Sequence, residues 1–251
     1  MRYQPQMHTK LAGAALILGL SLAACANDTN RGNDTGAKNR PATASTMHAN
    51  ANSRGAGVDA DGTTRMNQQG MQQQLSEMPV GTLTTHEADG LLYMREEEKL
   101  AHDVYLALGE RWTLPVFTNI ASAEQTHTDA VQLLLERYNL TDPAAGNAAG
   151  VFTNAELQAL YAKLVEQGST SLTEALSVGA EIEELDIVDL RSRASDKADV
   201  DLVYSNLERG SRNHLRAFTK QLDRNGSTYE PMHLPTADYD AIVSGDIERG
   251  Q

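Results

Sequence analysis

The chain has 251 residues, 22% of them charged and 5% aromatic, with a formal net charge of −13 and a sequence pI of about 4.9. That length accommodates one domain of ordinary size with tails. The acidity excludes the basic face by which proteins hold nucleic acid, and the single cysteine, Cys25, excludes any disulfide within the chain.

The N-terminus reads "MRYQPQMHTKLAGAALILGLSLAACANDTN". Arg2 and Lys10 give a basic start, and Leu11 to Ala24 is an apolar run too short for a comfortable membrane span. This is the pattern of a secretory signal peptide over residues 1–24. It ends in Leu22-Ala23-Ala24-Cys25, which resembles the bacterial lipobox. That resemblance implies cleavage before Cys25, lipidation of its thiol and a membrane partner reached through acyl chains, each buried methylene contributing about 0.8 kcal/mol. With Ala26 next, it also implies the cell envelope, at an outer membrane and facing the periplasm. Cleavage removes Arg2 and Lys10 and leaves the chain more acidic.

Residues 25–80 are rich in Asn, Ala, Gly, Thr, Ser and Gln and have almost no apolar periodicity. They are expected to form a flexible tether, because too little apolar surface is available to offset ordering. Met66, Met71 and Met78 are too loosely spaced for a metal-binding methionine tract.

Five helices are predicted over 81–225. Thr84 with Glu87 forms a capping-box signature and opens the first, which runs to about Arg111 and stops before Pro115. The second runs from about Val116 to Tyr138. After the loop "NLTDPAAGNAAG", Thr153 with Glu156 opens a short third helix, stopped by Gly168. Ser171 with Glu174 opens the fourth, to about Arg193. The turn "ASDKAD" leads to the fifth, from about Ala198 to Arg224, ended by Asn225-Gly226. The tail 226–251 is expected to be irregular, with Tyr229, Met232, Leu234, Tyr239 and Ile242 available to dock. No strand is predicted. The fold class is therefore all-α. Two antiparallel hairpins joined by one long crossover carrying the short helix make a ferritin-like four-helix bundle.

Polar residues interrupt the apolar stripes. The second helix places Ile120, Glu124, His127, Val131, Leu134 and Tyr138 on one face. The first places Leu91, Met94, Glu98, Ala101, Tyr105 and Leu108 together, and the fifth Leu207, Ser211, His214, Phe218 and Leu222. The fourth is less clean: Val178, Glu181, Leu185 and Val188 share a face, with Glu184 one turn beyond Glu181. Glu97 competes with Glu98 for the inward position, and Glu183 competes with Glu181 and Glu184. His102, one turn from Glu98, is either a local ligand or a surface histidine. Buried carboxylates are costly unless compensated. At ~1.5 Å per residue the levels of Glu98, Glu124, His127, Glu181, Glu184 and His214 agree to within a turn or two, so all six can converge at mid-bundle. Divalent cations would balance the charge. Oxygen and imidazole donors without thiolates suit iron or manganese, one or two ions, rather than structural zinc. Tyr105 and Ser211 are candidates to support the ligands from behind.

Glu98-x-x-Ala101-x-x-x-Tyr105 and Glu124-x-x-His127 resemble the metal-binding helices of rubrerythrin and other ferritin-like di-iron proteins, and Glu181-x-x-Glu184 resembles the third metal helix. "LLYMREEEKLAHDVY" and "NLERGSRNHLRAF" resemble the ferritin-like family called domain of unknown function 2202. The resemblance covers about residues 80 to 225. It implies Fe(II) oxidation, or reduction of O₂ or peroxide, with electrons from an external donor, since one cysteine cannot build a rubredoxin-like centre. It also implies a second Glu-x-x-His on the last helix, where this chain has Ser211-x-x-His214. Glu184 is a candidate replacement; Glu208 is a poorer one. The alternatives are a metal-free buried polar network in a binding or scaffold bundle, and a reversible metal carrier. A homodimer is compatible with each.

Overall fold

The computed structural model describes residues 57–58 and 64–249. The expected signal peptide, Cys25 and the start of the expected tether lie outside the described residues. Within them the chain is mostly helical, with one antiparallel pair of two-residue strands, β1 (Gly57–Val58) and β2 (Thr64–Arg65). Seven helices follow: α1 (Gln68–Glu77), α2 (Thr85–Trp112), α3 (Pro115–Arg137), α4 (Ala155–Gly168), α5 (Leu172–Ser192), α6 (Ala198–Arg224) and α7 (Thr236–Ser244). None of these is long and apolar enough to cross a membrane.

Local chemistry explains most of the boundaries. At α2 the capping box forms: the Glu87 amide donates to Thr84 Oγ1 (3.2 Å) and the Thr84 amide to Glu87 Oε2 (2.8 Å). The helix ends at Thr113 in the left-handed region (φ 48°), and Pro115 opens α3 at a position where its missing N–H costs nothing. The turn is therefore only two residues long, and α2 and α3 form a hairpin. Ser171 caps α5 by accepting from the Glu174 amide. At α4 the cap is Asn154, which accepts from the amides of Glu156 and Leu157. The expected cap, Thr153, is committed elsewhere: its amide donates to Glu96 and its hydroxyl to the Pro143 carbonyl.

Two expectations are corrected at the ends of the domain. Residues 68–77, placed in the flexible tether, form α1, which buries Met71 and Leu75 against α3. An i, i+4 pair is a stripe too narrow to stand out in a Gln-rich segment, yet it suffices once a groove receives it. The C-terminal tail likewise contains α7, which docks Tyr239 and Ile242 on α6.

The four long helices touch in the order α2–α3–α6–α5, with α5 closing on α2. α4 lies against α2 and α5, and β2 against α3 and α6. The core is split in two. One apolar cluster holds Leu100, Tyr105, Phe117, Ile120, Leu215 and Phe218. The other holds Leu91, Met94, Val131, Leu134, Val203 and Leu207. On each long helix the residues between the two clusters are polar and buried: Glu98 on α2, Glu124 and His127 on α3, Glu183 and Asp186 on α5, and Ser211 and His214 on α6.

Candidate metal centre

The belt is centred on Glu124. Its Oε2 lies 2.8 Å from His127 Nδ1 and its Oε1 lies 2.7 Å from His214 Nδ1. The two imidazoles stack with centroids 5.4 Å apart. Each histidine has a second carboxylate beside its Nδ1: Glu98 Oε2 at 3.4 Å from His127, and Glu183 Oε2 at 3.6 Å from His214. Glu98, Glu124, His127 and His214 are fully buried, and Glu183 and Asp186 are each 1% exposed. Donor atoms of Glu124, His127 and His214 lie within 4.8 Å of one another, as do those of Glu98, Glu124 and Asp186.

The surroundings hold these groups in place. The Tyr105 hydroxyl donates to Glu183 Oε1 (2.6 Å) and contacts the Gly179 carbonyl. The Ser211 hydroxyl donates to Asp186 Oδ2 (3.0 Å). α6 approaches His127 through Gly210, where a Cβ would stand 2.5 Å from the ring's Cε1. The Thr64 nitrogen in β2 lies 3.3 Å from His214 Nε2, which accepts its N–H only while the ring is neutral, with the ring proton then on Nδ1 toward Glu124.

Burial and like charge act together on the acids. Burial, reinforced by Glu124, raises Glu98 to about 7 against the pull of His127. Burial, reinforced by Glu124 and opposed by His214, raises Glu183 to about 7 as well. Asp186 is pushed well above the carboxylate range by burial and then by Glu98, Glu97, Glu124 and Glu183. Glu124 moves the other way: burial opposes its charge, but His127 and His214 outweigh burial and hold it below the usual range. Burial disfavours the imidazolium of His214, yet Glu124 and Glu183 raise it to about 9; His127 is raised in the same manner by Glu124 and Glu98.

Of the residues expected at the site, Glu98, Glu124, His127 and His214 come together, and Tyr105 and Ser211 touch their neighbours. Glu181 and Glu184 do not join them. Glu184 accepts from the Tyr229 hydroxyl and the amides of Met232 and Leu234, so it pins the C-terminal tail. Glu181 has Lys163 at 3.6 Å and His233 at 3.8 Å. Glu208 pairs with Arg191 and Arg212, and His102 with Asp103. The inward face of α5 is instead Gly179, Glu183, Asp186 and Leu190. Glu183 is the alternative the sequence offers for this face; Asp186 is not among its candidates. The 3–4 spacing of these four was its signal. It is masked because α5 is buried on nearly every side from Val178 to Ile187, so no polar face sets its phase.

The donor set fits divalent cations. Both oxygens of Glu98 and of Glu124, Glu183 Oε2, Asp186 Oδ1 and both ring nitrogens of His127 are shielded from solvent yet make no aligned hydrogen bond. Buried polar atoms are rarely left so. Hard oxygen donors with imidazole nitrogen and no sulfur suit divalent first-row metals.

Residues 87–246, which include every member of the belt, match an uncharacterized protein domain family, DUF2202. The chain is 48% identical over 182 residues to the uncharacterized protein MJ0754 of Methanocaldococcus jannaschii, covering 72% of this chain and 98% of that protein. The crystal structure of the hypothetical protein MJ0754 superposes with a TM-score of 0.67, covering 68% of this chain and 99% of that one. By both the extent of the match and the level of identity, this chain belongs to the DUF2202 family.

Proposed function

We propose that this is a ferritin-like metal protein that holds one or two iron or manganese ions at the mid-level of its four long helices. One observation carries the reading: Glu124 lies between two imidazole Nδ1 atoms, at the centre of buried carboxylate oxygens that make no aligned hydrogen bond. Glu98, Glu124 and His127 would serve one ion, and Glu183, Glu124 and His214 a second. Bound iron would supply one-electron chemistry, and the resemblance to rubrerythrins suggests Fe(II) oxidation or reduction of O₂ or peroxide with an external electron donor. The chain's own part is to exclude water, to neutralise the ions with fixed carboxylates and to hold Glu183 through the Tyr105 hydroxyl. The signal sequence and Cys25 suggest that the domain works in the cell envelope, tethered by lipid.

The test is elemental analysis of protein purified without chelator from cells supplied with iron and manganese, beside Glu124→Ala and His127→Ala. Near-stoichiometric metal that falls to background in both variants supports the reading. A second reading, a metal-free network sharing protons, draws on the two close Glu124–histidine pairs. It expects no metal in any sample and only a loss of thermal stability in the variants.

A further inference from the structure

The belt has an internal two-fold pattern. In the α2–α3 hairpin, α2 brings Glu98, and α3 brings Glu124 with His127 three residues on. In the α5–α6 hairpin, α5 brings Glu183, and α6 brings His214 with Ser211 three residues before it. Glu98 therefore corresponds to Glu183, His127 to His214 and Glu124 to Ser211. The pattern breaks at the last pair, where a carboxylate faces a hydroxyl. It breaks a second time one turn beyond the first-named glutamates. Three residues after Glu98 is Ala101, whereas three residues after Glu183 is Asp186. Each hairpin thus carries one carboxylate and one small residue at these two positions, with the helices exchanged.

The side-chain geometry agrees with an exchange. Asp186 is 1% exposed, its Oδ1 has no partner, and its carboxylate lies within 4.8 Å of oxygens of both Glu98 and Glu124. Its other oxygen, Oδ2, accepts from the Ser211 hydroxyl at 3.0 Å. Ser211 is itself fully buried and also contacts the Leu207 carbonyl one turn back, which fixes its rotamer. A glutamate at 211 would need the space into which Asp186 reaches.

We infer that Asp186 is the second carboxylate shared at the centre, supplied by α5 in place of the side chain α6 lacks at Ser211, and that Ser211 positions it. This rests on the metal reading above and adds that a second cation depends on Asp186. Without it, the α5–α6 half offers only Glu183 and His214 beyond what Glu124 shares.

The test titrates Mn(II) into the chelator-stripped full chain by calorimetry and counts cations bound, with circular dichroism to verify folding. The wild type is expected to take two. Asp186→Asn keeps the shape and still accepts from Ser211, and is expected to take one. Asp186→Ala with Ser211→Glu returns the carboxylate to α6 and is expected to restore two. Ser211→Ala is expected to keep two sites but weaken the second about tenfold, the scale of losing a hydrogen bond that orients a ligand. Two cations in Asp186→Asn, or no recovery in a folded double variant, would overturn the inference and leave the metal reading standing. No binding by wild type, with Glu124→Ala indistinguishable from it, would overturn both.

Discussion

At the scale of single residues, Glu124 organises the charges of the belt. It is ionised because two imidazoles face it, while burial, with the charge of Glu124 added, holds protons on Glu98, Glu183 and Asp186. This has a pH signature in the metal-free chain. Glu98 and Glu183 titrate at about 7 when folded, against an ordinary 4.5, so the native state holds protons that the unfolded chain has released. Their contribution is complete below the unfolded value and is lost as pH rises through the folded one. His214, raised to about 9 from 6.5, acts with the same sign: its contribution is present below 6.5 and lost as pH climbs through 9. Glu124 has the opposite sign, but its loss comes only at acid pH, below the ordinary carboxylate range. The melting temperature of chelated protein is therefore expected to fall steadily between about pH 5 and about pH 9. Saturating Mn(II) should flatten that dependence, because the cation replaces the protons. Thermal melts across the pH series, with and without metal, check this. A flat profile in the chelated protein would mean that the carboxylates do not share protons in this way.

At the scale of elements, the caps at Thr84 and Ser171 were legible because they depend on side chains a few residues away. The inward face of α5 was not, because α2, α4, α6 and the tail all cover that helix. Its two buried carboxylate faces separate experimentally. Glu184→Ala strands a buried tyrosine hydroxyl and two amides, and is expected to cost about 2–4 kcal/mol of stability. It should leave the number of bound ions unchanged, read by chemical denaturation and elemental analysis of the same preparation. Gly210 tests how α6 meets α3. A methyl group there would stand 2.5 Å from His127 Cε1 and 2.7 Å from Nε2, so the ring must swing away. Gly210→Ala is expected to stay helical while its metal affinity falls at least about tenfold, measured by chelator competition.

At the scale of the whole molecule, both ends of the described chain meet beside the centre. The Asn213 side chain donates to Thr64 Oγ1 and to the Glu248 carbonyl, and accepts from the Glu248 amide. Arg212 and Arg216 hold the Glu248 carboxylate. From the other side, the Met66 amide donates to Thr126 on α3. β2 thus lies across the α3–α6 seam with Thr64 fully buried over His214. Thr64 and Glu248 both fall outside the residues that match the family. A chain beginning at residue 80 lacks this cover. Loaded with Mn(II), it is expected to lose the cation to a chelator faster than the longer chain, with the same stoichiometry at saturation. Equal release rates would show that β2 does not limit access.

The sequence by itself determined the all-α character, the four long helices and four of the central polar residues, Glu98, Glu124, His127 and His214. These are local properties: caps, breakers, and a stripe whose polar intruders stand out when the opposite face is solvated. Only the tertiary structure decided that Glu183 and Asp186, not Glu181 and Glu184, turn inward, since a helix enclosed on all sides has no solvated face to reveal its phase. Only it decided, too, that the stretch before residue 80 docks, β2 over His214 at the seam of α3 and α6 and the Gln-rich α1 against α3, because its order comes from those surfaces rather than from its own periodicity.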